Sequence, residues 1–112
     1  MPADDLALLP PDLAARSRSP AEIVLDGEDA LAAVAHVAAA GRRIESWEGW
    51  VWFADGGRTR SLAHPGPFGL PMDVERAAAV TLDGIRDAMK AWARTPEYPG
   101  AALVFGLVVA RA

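Results

Sequence analysis

The run from Arg43 to Phe53, carrying Ile44, Trp47, Trp50, Val51, Trp52 and Phe53, is too dense in aromatic and β-branched side chains for a helix surface. It reads as one long strand. Asp55-Gly56-Gly57 follows at once, and glycine accepts the positive φ that tight strand-matching turns require. The return strand spans roughly Arg58 to Ala63. This hairpin constrains the fold more than any other feature, because everything else must assemble around an antiparallel pair.

The flanking segments repeat a simple succession. Ile23-Val24-Leu25 is a short aliphatic strand, ended by Asp26-Gly27, and Asp26 caps a helix in which Asp29 favours the positively polarised first turn. Leu31, Val34, Ala35 and Ala38 recur at helical spacing as its inward stripe, His36 falls on the opposite face, and Gly41 supplies the stop. Beyond the hairpin, the prolines and glycines from His64 to Pro71 fix a structured loop. Asp73 caps a second helix, which Pro96 closes after Arg94. Its inward stripe is Val74, Ala77, Ala78, Thr81, Ile85, Ala88, Met89 and Trp92. Gly84 in mid-helix costs about 1 kcal/mol relative to alanine, which suggests a close approach to a neighbour. Leu103 to Val109 is a continuous apolar run, the pattern of a central strand covered on both faces.

The order strand, helix, strand, strand, helix, strand predicts an α+β fold. Its layout is the split β-α-β-β-α-β (ferredoxin-like) sandwich, an antiparallel sheet with two helices on one face. A three-stranded meander with two helices is the alternative if the short first strand fails to form. Residues 1–20 read as an N-terminal arm or linker, with Pro10-Pro11 interrupting Leu6, Leu8, Leu9 and Leu13. Residues 21–112 form a single α+β domain.

Composition narrows the chemistry. The chain of 112 residues has no cysteine, which excludes a disulfide scaffold, a thiolate metal site and a cysteine nucleophile. A net charge of −4 argues against a nucleic-acid binder, which would carry a basic face. Asp4, Asp5 and Asp12 precede Arg16 and Arg18, the reverse of a signal peptide, and the run from Ala101 to Ala110 is about half a membrane span. The expectation is a cytoplasmic protein that binds neither membrane nor nucleic acid.

Catalytic constellations are sparse. His36 and His64 lie on different elements and leave a metal site short of ligands, so neither metal nor cofactor is expected. Ser61 and His64 are close in sequence, but a three-residue offset on a strand points them to opposite faces. Glu45 and Glu48 share that problem unless a bulge near Gly49 intervenes. No phosphate-cradling glycine motif is present.

The aromatic strand offers more. Trp50 and Trp52 project opposite to Trp47, Val51 and Phe53, so one set packs under the helices and the other faces outward. A two-residue Asp-Gly turn would set Trp50 and Trp52 beside Thr59 and Ser61, with Arg58 and Arg60 joining Val51 and Phe53. A one-residue change in loop length reverses that pairing. Both tryptophan sets can equally be covered by the helices and the arm. Tryptophan and arginine are enriched at interface hot spots, so the candidate partner-binding residues are Trp47, Trp50, Trp52, Arg58, Arg60 and Glu48. Phe68 joins them from the Pro/Gly loop, where Phe68 and Leu70 are either presented to a partner or folded back over the sheet end.

From Ile23 to Val109 the layout resembles a bacterial toxin-immunity family, immunity protein 40. The resemblance lies in the short aliphatic strand, the helix ending at Gly41, and the aromatic strand with Glu48-Gly49-Trp50-Val51. It continues through the return strand, the helix from Asp73 to Arg94 and the closing apolar strand. The return strand departs from the family's aromatic signature with Thr59-Arg60-Ser61-Leu62, so no binding residue is carried over. The resemblance implies a cytoplasmic, non-catalytic inhibitor that binds a cognate bacterial toxin. Mild acidity would suit a basic toxin. The competing reading is a dimeric small-molecule-binding module, or a simple acid–base enzyme using His64, Glu45 or Glu48. A self-associating structural protein is a third.

Overall fold

The two longest strands pair with each other and leave the short ones at the margins. In the computed structural model, which describes residues 5–67, 69–70 and 72–111, the strands are β1 (Ile23–Asp26), β2 (Ile44–Trp52), β3 (Arg58–Arg60) and β4 (Ala102–Val109). They form one antiparallel sheet in the order β1-β4-β2-β3. The helices are α1 (Pro11–Ala14), α2 (Gly27–Ala39) and α3 (Val74–Arg94), preceded by a 3-10 turn at Leu6–Leu8.

The class is therefore α+β, but the sheet order differs from the expected ferredoxin-like arrangement, which would centre β1 and β3. Those are the shortest strands, at four and three residues, whereas β2 and β4 have nine and eight. Centring the long pair satisfies more main-chain donors and acceptors in the sheet interior, where an unpaired group is costly. Both β-α-β units remain split: β4 lies between β1 and β2, and β2 lies between β3 and β4.

One sheet face carries the core. Ile23 and Leu25 of β1, Phe105, Leu107 and Val109 of β4, and Ile44 and Trp47 of β2 share a buried cluster with α2 and α3. Ile44 and Trp47 are three apart and would face opposite ways in a regular strand. An irregularity between Ile44 and Ser46, where β4 advances only from Val109 to Val108, adds one residue to β2 and returns both to the helix side. The bulge thus falls at Glu45 and not at Gly49.

Helix α3 follows its sequence pattern closely. Asp73 caps it by accepting the Arg76 N–H at 2.8 Å, and Ala77, Ala78, Thr81, Ile85 and Ala88 are buried. Gly84 is the close approach that its position suggests: a Cβ there would lie 2.6 Å from Cζ2 of Trp47. Helix α2 is rotated from the expected stripe. Ala30, Ala33, Val34 and Val37 are buried, whereas Ala35 is exposed and Leu31 and Ala38 are partly covered. An alanine-rich surface buries whichever side brings the backbone closest to its neighbours, and α2 packs against both the sheet and α3.

The segment around Leu9 and Leu13 joins this core. Leu9 and Leu13 are buried in the cluster shared with the helices. Arg16 then reaches Asp29 on α2 at 3.0 Å, and the Ser17 hydroxyl donates to the Glu22 carbonyl while accepting the Val24 N–H at 3.1 Å. Among the described residues no helix is long and apolar enough to cross a membrane.

Candidate interaction face

Hairpin geometry decides which side chains share the outward sheet face. Gly56 N–H donates to the Phe53 carbonyl at 3.0 Å, Phe53 N–H donates to the Gly57 carbonyl at 2.7 Å, and Gly56 has φ +93°. That is a loop one residue longer than a two-residue Asp-Gly turn, built on a reverse turn followed by a left-handed glycine. The register becomes Trp50 opposite Arg60, Val51 opposite Thr59 and Trp52 opposite Arg58. The arginines therefore join Trp50 and Trp52, not Val51 and Phe53 as the two-residue turn would have it. Side-chain alternation has period two, so one extra loop residue moves the whole return strand to the other face.

The outward face thus gathers Glu48, Trp50 and Trp52 from β2 with Arg58 and Arg60 from β3. Arg60 pairs with Glu48 at 3.0 Å, and both are partly solvated. The Trp52 ring has two guanidinium groups within cation–π range, Arg58 at 4.7 Å and Arg18 at 5.1 Å from the centroid. Arg18 also pairs with Asp26 at 2.9 Å. Trp50 and Trp52 are half-buried. Beside them runs a groove of about 420 Å³, walled by Trp50, Trp52, Arg58 and Glu48, with Val24 and Val108 along its length. Glycine at 106 keeps the neighbouring β4 backbone bare: a Cβ there would sit 3.5 Å from the Glu48 side chain.

The other candidates lie elsewhere. Trp47, expected at a partner surface, is buried against Phe105, with ring centroids 5.9 Å apart. The bulge at Glu45 and the bare Gly84 backbone give its indole a slot beneath α3. Phe53 packs edge-on against Tyr98 at 5.2 Å. Leu70 is buried and tied down, its N–H donating to the Glu45 carbonyl at 2.7 Å and its carbonyl accepting from Arg43. Of the two loop apolar residues, Leu70 folds back, and Phe68 lies outside the described residues.

The polar residues near β3 form a clamp. The buried Ser61 hydroxyl donates to Glu97 at 2.7 Å and accepts the His64 N–H at 2.9 Å, while Leu62 N–H donates to the other Glu97 oxygen at 2.9 Å. With its one proton given to a carboxylate, this hydroxyl is not aimed at an imidazole base. Burial pushes the Glu97 carboxyl up, but hydrogen bonds from Ser61 and the Leu62 and Ala63 backbone, and the charge of His64, outweigh it and hold it below the usual range. His36 is exposed on α2, and Glu45 is exposed at the bulge while Glu48 is taken by Arg60. Among the described residues no three histidine or carboxylate side chains gather as a metal set.

Sequence reasoning missed Arg18 and Glu97. Both act across long chain separations, and neither carries a local pattern that announces its partner. No protein-family model, curated protein or solved structure matches this chain.

Proposed function

We propose that this protein is a non-catalytic protein-binding module of the immunity type, which neutralises a cognate toxin by covering it with the open face of its sheet. The observation that carries this reading is the joint placement of the half-buried Trp50 and Trp52 and the exposed Arg58 and Arg60 on the sheet face opposite the helix-bearing core. Large side chains already stiffened by stacking and ion pairing lose little conformational freedom on binding, which is how hot spots concentrate energy. The layout resemblance to an immunity family names the partner class. The protein acts in the cytoplasm in this reading, and the mixed charge of the face suits a polar, protein-sized partner better than nucleic acid or membrane.

The test is co-expression with a toxin-like product of an adjacent gene. Wild-type protein is expected to rescue growth and to co-purify with that product. Trp52→Ala and Trp50→Ala are expected to lose both while melting as cooperatively as wild type. Absence of rescue by wild type, or undiminished rescue by both variants, would overturn the reading.

A second reading, a small-molecule binder, is favoured by the groove of about 420 Å³, which lies within the size range of ligand sites and has a carboxylate on its wall. A thermal-shift screen of small aromatic carboxylates and amines addresses it. A compound that raises the Tm of wild type but not of Trp52→Ala would support this alternative.

A further inference from the structure

We propose that the free edge of β3 is a docking edge, and that its occupant is an extended acidic segment of a protein partner, added to the sheet beside Arg58 and Arg60. This rests on the protein-binding reading and specifies how the partner is held. Phe53 N–H bonds to Gly57 at 2.7 Å and Ser61 N–H to Gly49 at 2.9 Å. In an alternating antiparallel ladder the hydrogen-bonded pair between them is Val51–Thr59, which leaves Trp52–Arg58 and Trp50–Arg60 as the non-bonded pairs. Residues of non-bonded pairs turn their N–H and C=O away from the partner strand. Arg58 and Arg60 therefore present main-chain donors and acceptors outward, and among the described residues no hydrogen bond reaches those groups from outside the sheet.

The opposite edge shows what such groups need. On β1, Val24 has its carbonyl accepting the Arg18 N–H at 2.8 Å and its own N–H donating to the Ser17 hydroxyl at 3.1 Å. The N-terminal arm thus closes one edge of the sheet. No described segment performs that service on β3.

The side chains select the occupant. A strand added at β3 would place alternate residues beside Arg58 and Arg60 on the open face. Arg58 stacks on Trp52 and makes no ion pair among the described residues, and Arg60 holds Glu48 through one amino group. Guanidinium groups fixed in this way are suited to forked carboxylate recognition. Leu62, 83% exposed just past β3, adds an apolar contact at the end of the edge. The fitting partner is an extended segment that alternates acidic and aliphatic residues, bound by main-chain pairing with side chains supplying selectivity.

The experiment titrates the blocked peptide Ac-EVEVEV-NH2 into isotope-labelled protein and follows the backbone amides by NMR. The expected result is shifts centred on Arg58, Thr59 and Arg60, slowed amide exchange at Arg58 and Arg60, and no response to Ac-KVKVKV-NH2. Arg60→Pro removes an outward N–H on an edge where proline is tolerated, and is expected to weaken binding about tenfold or more beyond Arg60→Ala, which loses the same guanidinium but keeps the N–H. If that variant does not fold, the same peptide with alternate backbone nitrogens methylated makes the same test, because it keeps its charges and loses its strand donors. Equal binding of the methylated peptide, or shifts confined to Trp50 and Val108, would overturn the edge proposal. Failure of the face reading is separate: partner binding lost in Arg60→Pro yet retained in Arg60→Ala, Trp50→Ala and Trp52→Ala upholds the edge and refutes the face.

Discussion

Gly84→Ala sets two known effects against each other at one atom. Alanine is the better helix former, and at an open helix position the change would stabilise by about 1 kcal/mol. Gly84 is not such a position. Its added Cβ would stand 2.6 Å from Cζ2 and 3.2 Å from Cε2 of Trp47. The indole is a rigid ring, buried and wedged against Phe105, so it cannot swing aside as the end of a methionine could. Forcing a methyl group into a well-packed core costs about 1–3 kcal/mol. After the propensity gain is subtracted, the balance is a loss of up to about 2 kcal/mol. For a domain near this size that lowers Tm by up to about 10 °C. Thermal and urea unfolding of Gly84→Ala measure it directly. Repeating the change in a Trp47→Phe background, where the outer ring of the indole is gone, should recover most of the loss and give a coupling near 1 kcal/mol. A rise in Tm for Gly84→Ala, or the same loss in both backgrounds, would refute the argument that glycine is there for the tryptophan.

Other perturbations follow the same logic. Leu13→Ala should cost about 2–4 kcal/mol in urea unfolding, because Leu13 belongs to the common core despite its place near the chain start. Trp47→Ala should cost about 3–5 kcal/mol, clearly more than Trp52→Ala, since only the first ring is buried in the core. Gly56→Ala should lower stability by about 1 kcal/mol, because φ +93° lies where an L side chain is strained. Glu97 carries a pH signature. A carboxyl with a folded pKa below its unfolded value contributes stability above the ordinary glutamate range, and that contribution is lost as pH falls through the folded pKa. The urea midpoint of wild type should thus exceed that of Glu97→Gln at neutral pH, with the gap closing on acidification; a gap independent of pH would remove Glu97 from the account.

Much of this architecture is written locally. The long aromatic strand, the helix capped by Asp73, the glycine stop at Gly41 and the apolar β4 all rest on patterns spanning a few residues, which is why they can be read without the fold. The use of Gly84 was visible as an anomaly, a helix interior paying for a missing side chain, although its partner Trp47 was not. Tryptophan and arginine on neighbouring strands were legible as a candidate group. Which of them share a face was not: Trp47 is buried in the core, and Arg18 stacks on Trp52.

What the sequence determined by itself is the α+β class, the order of the elements and the hairpin at Asp55-Gly56-Gly57. Periodicity, capping and turn chemistry are short-range physics and need no knowledge of distant segments. Only the tertiary structure decided that β2 and β4 hold the centre, that Arg58 and Arg60 stand with Trp50 and Trp52, and that Leu9 and Leu13 lie in the core. Those outcomes depend on which of several compatible pairings buries the most apolar surface and leaves the fewest main-chain groups unpaired. That comparison is made over the whole molecule, and a one-residue difference in a loop is enough to change which face an arginine occupies.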